Sequence, residues 1–346
     1  MTFQPIQRLP QAHTERAHAK IVKLRPAHVL PARALSKPSR LRWLAAALTD
    51  YAIIALAMAG AYYAFQYAQT NGFAATTNAI AGAAILFAVL VIGTRQHAIL
   101  VLAHDGGHGH ASENSKWNDL LTNLLGLWPF GLGVTGYRKF HFAHHRYMGT
   151  ESDPELFLKK QAAPAYNLPA TRRRILRVVI AALLGCGFKE TGSAILYIVR
   201  RNSLRDILAP IALWGTLSLI LWHFNAGWVA LLWFTALSTS FAAISRARVW
   251  TEHMGTSDVH RIAAPQLIYR LIFYPHNVWC HFEHHRFPSV PFWNLAKAAA
   301  LETETPIQTI GSLYDWYATC KTIAAGDAAP RVSRIDPIAT PLPLAA

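Results

Sequence analysis

Charge is scarce in this sequence, and negative charge is scarcest. Only 15% of the 346 residues are Asp, Glu, Lys or Arg, against about 25% in a soluble domain. There are 18 acids and 33 bases, and 53% of the residues are hydrophobic. A chain so short of polar surface belongs to the membrane class before any segment is inspected. Cysteine is nearly absent: Cys186, Cys280 and Cys320 form no CxxC pair. That excludes a disulfide scaffold and fits a reducing compartment. HExxH is missing, which excludes the common zinc metalloprotease. Residues 1–43 lack the apolar core and cleavage site of a secretory signal.

Long apolar runs are present, four of them. They cover about Leu44–Tyr67, Asn78–Gly93, Ile207–Phe224 and Trp228–Ser245. Each approaches the ~20 residues a spanning helix needs. The second is expected to continue through "TRQHAILVLAH" as a helix leaving the bilayer. Asp50, near the entry of the first, is expected to snorkel or face protein. Two further stretches, 118–133 and 172–188, are apolar but interrupted by Gly126 and Pro129 or flanked by arginines. Both are expected at the membrane interface rather than across it.

Charge is distributed unevenly between the runs. Residues 1–43 carry nine Lys or Arg and one acid, Glu15, whereas the loops "AQTNGFAATT" and "NAGW" carry none. The positive-inside rule then places both termini and the long middle segment in the cytoplasm. Anionic lipid is the expected partner of residues 1–43, and no nucleic acid is expected. The exposed basic face also suits a phosphate headgroup, an acidic acyl carrier or an acidic ferredoxin.

Eight of the 17 histidines fall into three clusters. "HDGGH" holds His104 and His108, "HFAHH" holds His141, His144 and His145, and "HFEHH" holds His281, His284 and His285. Two crossings precede the first cluster and two more separate the second from the third, so all three are expected on one side of the membrane. The i, i+3, i+4 spacing predicts that each trio points one way from a helix. The third helix is expected to begin just after Pro275 and stop before Pro288. Eight imidazoles exceed what one zinc ion takes, so two ions are expected, although imidazole also suits Cu, Fe and Ni. His253, beside Glu252, is a ninth candidate ligand.

Asp105, Glu252 and Glu283 lie in or beside the clusters and can orient metal-bound imidazole. Glu283 faces away from its neighbours' ligand face, so it is read as a supporting or structural group. Asn277, four residues before His281, can reach a metal directly or through water, or serve as a polar cap. The acids of "GTESDPE" at 149–155 can pair with arginine, orient histidine or form a solvated turn. His97, His110 and His276 are read as structural.

These histidines resemble the HDxxH, HxxHH and HxEHH pattern of the membrane fatty acid desaturase superfamily, which also contains acyl hydroxylases and carotenoid hydroxylases and ketolases. "RVWTEH" and "PHNVWCHFEHHRFPSVPFWNL" are similar to the bacterial acyl-lipid desaturase branch. The resemblance covers about residues 45–310. It implies an all-α integral membrane protein with four spanning helices and a cytosolic helical cap. That cap would hold two iron ions, and His253 would match the family's extra histidine. Some relatives carry an asparagine four residues before that histidine, where this chain has Val249.

The expected organisation is a basic segment over 1–43, a catalytic domain over 44–310 and a C-terminal segment over 311–346, disordered from about 328. The expected activity is that of an oxidoreductase which desaturates an acyl chain, using O2 reduced to water. No cytochrome b5 signature or fused ferredoxin is visible, so a separate electron donor is expected. The expected location is a bacterial inner membrane, and the sequence names no catalytic residues apart from the metal ligands. A di-iron hydroxylase or carotenoid ketolase is the nearest rival. A histidine-rich transporter is a more distant one, because its ligands belong near the membrane midplane.

Overall fold

The computed structural model describes residues 26–302, apart from 163–164, 168–169 and 255–258. The basic segment up to residue 25 and the tail from 303 lie outside the described residues. What is described is all helical, with four helices long and apolar enough to cross a membrane.

Helix α1 (Arg40–Thr70) starts at Ser39, whose hydroxyl accepts the backbone N–H of Arg42. It turns at Asn71–Ala74 into α2 (Ala75–Gly107), with Gly72 at φ 65°. At 1.5 Å per residue, 33 residues extend about 50 Å, well beyond a hydrocarbon core of about 30 Å. The surplus carries α2 out of the apolar layer, as "TRQHAILVLAH" suggests, and puts His104 in its last turn. Exposure along α2 follows the same division. Ile80, Leu86 and Phe87 are exposed, whereas Ala98, Ile99, Leu102 and Ala103 are fully buried. Asp50 faces protein, paired with Arg95 of α2 at 3.1 Å.

Stretch 118–133 forms three short helical pieces over Ser115–Leu121, Thr122–Leu127 and Trp128–Phe130, none long enough to span. At its end Asn123 Oδ1 accepts the N–H of Val134 at 2.8 Å. That starts α3 (Val134–Tyr147), and α4 (Pro154–Gln161) follows. The 172–188 stretch joins α5 (Arg172–Ala181) to α6 (Phe188–Val199) through a 78° bend. Gly185, at φ 93°, makes the break. Leu183, Leu184 and Phe188 are exposed at that corner.

The third span is α7 (Leu204–His223). The fourth runs over Val229–Glu252 but is broken into α8 (Val229–Ser238) and α9 (Ser240–Glu252) at Thr239, with φ −119° and ψ −90°. Three consecutive hydroxyls explain the break. Ser238 and Thr239 donate to the carbonyls of Phe234 and Thr235, and Ser240 donates across to Val89 on α2 at 2.7 Å. Side-chain hydroxyls that compete for backbone carbonyls bend helices. The contact requires glycine at 93, where a Cβ would lie 2.0 Å from Ser240 Oγ and 2.7 Å from Phe241 N.

The last segment departs from expectation. Pro275–Cys280 is a kinked 3-10 stretch with His276 at φ 51° and Asn277 at φ 56°. The α-helix α10 begins only at His281 and ends at Arg286. Asn277 therefore does not share a helix face with His281. Two consecutive left-handed residues without glycine cost about 1–3 kcal/mol each, so their neighbours must hold them in place.

Gly93→Val is expected to force α2 and α9 apart and destabilise the protein by roughly 1–3 kcal/mol or more. Thermal melting in detergent checks it; an unchanged melting temperature would show that the helices do not meet there.

Candidate metal centre

Four elements deliver the histidines to one end of the helix bundle. His104 ends α2 and His108 caps it. A Cβ at Gly106 would lie 2.2 Å from Thr122 Oγ1, so this end of α2 packs tightly on the Thr122–Leu127 piece. α3 carries His141, His144 and His145, His253 caps α9, and α10 carries His281, His284 and His285.

Their Nε2 atoms face one another. The separations are 2.8 Å for His108–His141, 2.9 Å for His141–His145 and 3.1 Å for His145–His284. They are 2.9 Å for His253–His281 and 3.3 Å for His281–His285. The ring of His104 lies 4.2 Å from that of His284, and its buried Nε2 has no hydrogen-bond partner.

Candidate ligand atoms within 4.8 Å of one another define three groups, two of which share His253 and together make up the second side of the centre. The first unites His104, His108, His141, His145 and His284. The second unites His144, His253 and His285, with His281 and Glu252 joined through His253. Each trio is therefore divided, contrary to the expectation that it points one way. "HFAHH" sends its i, i+4 pair to the first group and its i+3 member to the second; "HFEHH" does the reverse. The helix explains this, because the i+3 residue sits about 60° round from i and about 100° from i+4.

The donor set fits metal. Two nitrogens at ~2.1 Å from one ion and at right angles to each other are about 3 Å apart, close to the separations here. Burial holds His108, His141, His253, His281, His284 and His285 well below the usual imidazole range, and His145 at about 3. The rings are thus neutral, the form that ligates. The cluster is compatible with a two-metal site.

The acids take separate roles. Asp105 does not touch the clusters' ligand atoms: its Oδ1 pairs with His110 at 2.8 Å and accepts the N–H of Phe292 at 3.0 Å. Glu283 turns to Arg261 at 2.6 Å. Glu252 is chelated by Arg248 and stands 3.8 Å from His281 Nε2. The amide of Asn277 is engaged by Arg270 and the carbonyl of Phe292, both at 3.1 Å. It supplies no counterpart to the asparagine replaced by Val249. His97 bonds Arg248 at 3.3 Å, and His276 bonds Asp50 at 2.7 Å.

Asp153 and Glu155, only loosely anticipated, stand closest to the second group. Asp153 Oδ1 accepts from His144 Nδ1 at 3.0 Å, which leaves Nε2 for the group. The same carboxylate caps α4 through the N–H of Glu155 at 2.9 Å, while its Oδ2 accepts the N–H of Gly149 at 3.0 Å. Glu155 Oε2 lies 3.1 Å from His144 Nε2. Lys159 and the neighbouring histidines outweigh burial and hold this carboxyl well below its usual range. The available signal was Asp-Pro, which reads as an N-cap followed by proline at the first helical position.

A cavity of about 690 Å³ opens beside both groups, touching His104, His141, His144, His253 and His281. Phe130, Leu132, Phe140, Ile198 and Phe241 form apolar walls, and Lys159, Lys189, Glu190 and Arg246 add charge. Its size suits one small-molecule ligand.

A family model described as fatty acid desaturase matches residues 80–309, which include all nine histidines. The chain belongs to the fatty acid desaturase family. It is also similar to the dihydrorhizobitoxine desaturase of Bradyrhizobium elkanii, with 25% identity over 279 residues, covering 72% of this chain and 76% of that protein. Family membership and the four apolar helices together make this desaturase relative a membrane protein.

Asp153→Ala is expected to weaken metal binding about 10–100-fold, read by chelator competition. The metal-free protein should also be sensitive to acid. Its unfolded histidines titrate near 6.5, whereas burial keeps the folded cluster neutral to lower pH. The folded state then binds fewer protons, so stability is present above about pH 6.5 and is lost as pH falls below it. Melting temperatures of chelator-stripped protein between about pH 7 and pH 5 check the sign.

Proposed function

We propose that this protein is an O2-dependent desaturase that introduces a double bond into a fatty acyl chain, using two iron ions held by the nine histidines. The observation that carries the reading is the two clusters of facing imidazoles beside a cavity with apolar walls. The balanced reaction removes two adjacent hydrogens from –CH2–CH2–, consumes O2, two electrons and two protons, and yields –CH=CH– and two waters. Iron with O2 supplies the oxidising power that no side chain has.

The protein's own residues do the rest. Asp153 fixes the ring orientation of His144, and the Arg248–Glu252 pair presents a carboxylate to His281. Phe130, Phe140 and Phe241 hold the chain against the histidines and exclude water from it. The charged side chains in the cavity meet the polar end of the substrate. Electrons come from a separate donor such as a ferredoxin. The charge asymmetry supports a histidine end facing the cytoplasm of a bacterial inner membrane, with both termini on that side.

The relative's name, a desaturase, favours double-bond formation over the oxygen insertion of a hydroxylase or ketolase. The histidines stand at one end of the spans rather than near their middle, which counts against a transporter.

Lipid mass spectrometry of cells with and without the protein tests the reaction. The expected product is about two mass units lighter than its precursor; a gain of about sixteen would indicate oxygen insertion instead. His144→Ala and His284→Ala, one from each group, should each abolish turnover and lower bound iron from about two to about one per chain. Full activity with iron retained in both would sink the ligand assignment.

A further inference from the structure

An ionic cluster buried in the stem reaches the segment that leads into α10. Asp50 lies inside α1 and is 1% exposed. Its Oδ1 accepts from Arg95 of α2 at 3.1 Å, and Arg95 also donates to the carbonyl of Leu271. Its Oδ2 stands 2.7 Å from Nε2 of His276. A carboxylate within a spanning helix is costly and is kept where it has work to do. Pairing with Arg95 alone would balance its charge. The second partner, His276, belongs to no span.

His276 and Asn277 are the two left-handed residues immediately ahead of Val278–Cys280 and α10. Such a conformation persists only where the surroundings over-determine it. Three contacts do so here: Asp50 to His276, Arg270 to Asn277, and Asn277 to the carbonyl of Phe292. The N–H of Phe292 donates to Asp105, next to His104. Stem, lead-in segment and first histidine cluster are thereby joined by hydrogen bonds.

We propose that Asp50 is a positioning residue. Through His276 it fixes the backbone from which His281, His284 and His285 project, and so holds the second histidine group together. The inference rests on the reading of the two groups as iron sites. α10 supplies two of the four histidines in the second group, His281 and His285, but only His284 of the five in the first. Loosening its lead-in should therefore empty the second group first.

His276→Gly removes the contact, suits a positive φ and leaves the Asp50–Arg95 pair intact. The purified, iron-loaded variant should bind about one iron instead of about two, with helix content and elution unchanged. Asp50→Asn should do the same, and Asp50→Glu, which keeps the carboxylate, should restore most of the iron. The His276→Gly/Asp50→Asn double variant should lose no more than either single. Hydrogen exchange should quicken over residues 275–286 and stay unchanged in α1 and α2.

Two irons and unaltered exchange in both single variants would overturn the proposal. So would additive loss in the double variant, or failure of every variant to fold, because the stem is held to assemble without this contact. If the wild-type protein binds no iron, the iron-site reading fails separately, and exchange over 275–286 alone decides the positioning role.

Discussion

Nine imidazoles brought together at the end of an apolar helix bundle impose the constraint on which the rest depends. Charged rings would repel one another, and neutral rings with facing lone pairs would be left unsatisfied. The structure sets Nε2 atoms about 3 Å apart, and burial favours the neutral form of His108, His141, His145, His253, His281, His284 and His285. Such an array is costly without a cation and cohesive with one. The surrounding helices are organised to keep it in place: α2 overshoots the membrane thickness, α9 is anchored to α2 through Gly93 and Ser240, and α3 starts from the Asn123 side chain.

The two groups are chemically unequal. The first is built of five histidines, while the second has four and stands beside Glu252 and Glu155. The carboxylates, paired with Arg248 and Lys159, put acceptor oxygens on one side only, and the cavity touches both sides. The cavity sets an apolar wall of phenylalanines beside charged side chains.

Much of the fold was legible in the sequence because hydrophobic runs and flanking charge act locally. The four spans were anticipated, each within a few residues at most ends, as was the continuation of α2. Eight of the nine histidines were legible because i, i+3 and i+4 spacing survives without tertiary information, and His253 was legible only from its place beside Glu252 at the end of the fourth apolar run. The loop before α10 was not. Pro275 is an ordinary helix start, and nothing local announces that His276 and Asn277 adopt positive φ. Their side chains are held by Asp50, more than two hundred residues earlier in the chain, and by Arg270 and the carbonyl of Phe292.

The sequence by itself determined the membrane class, the four long apolar runs and the three histidine clusters at ligand spacing. These follow from composition and periodicity, which are properties of neighbours in the chain. Only the tertiary structure decided which histidine joins which group, because a helix divides i+3 from its i, i+4 partners according to what stands opposite. It also decided the roles of the acids. Asp105 turned from the ligand atoms to His110, Glu283 turned to Arg261, and Asp153 took His144. A carboxylate's partner is set by the nearest donor in space, and sequence distance carries no information about that.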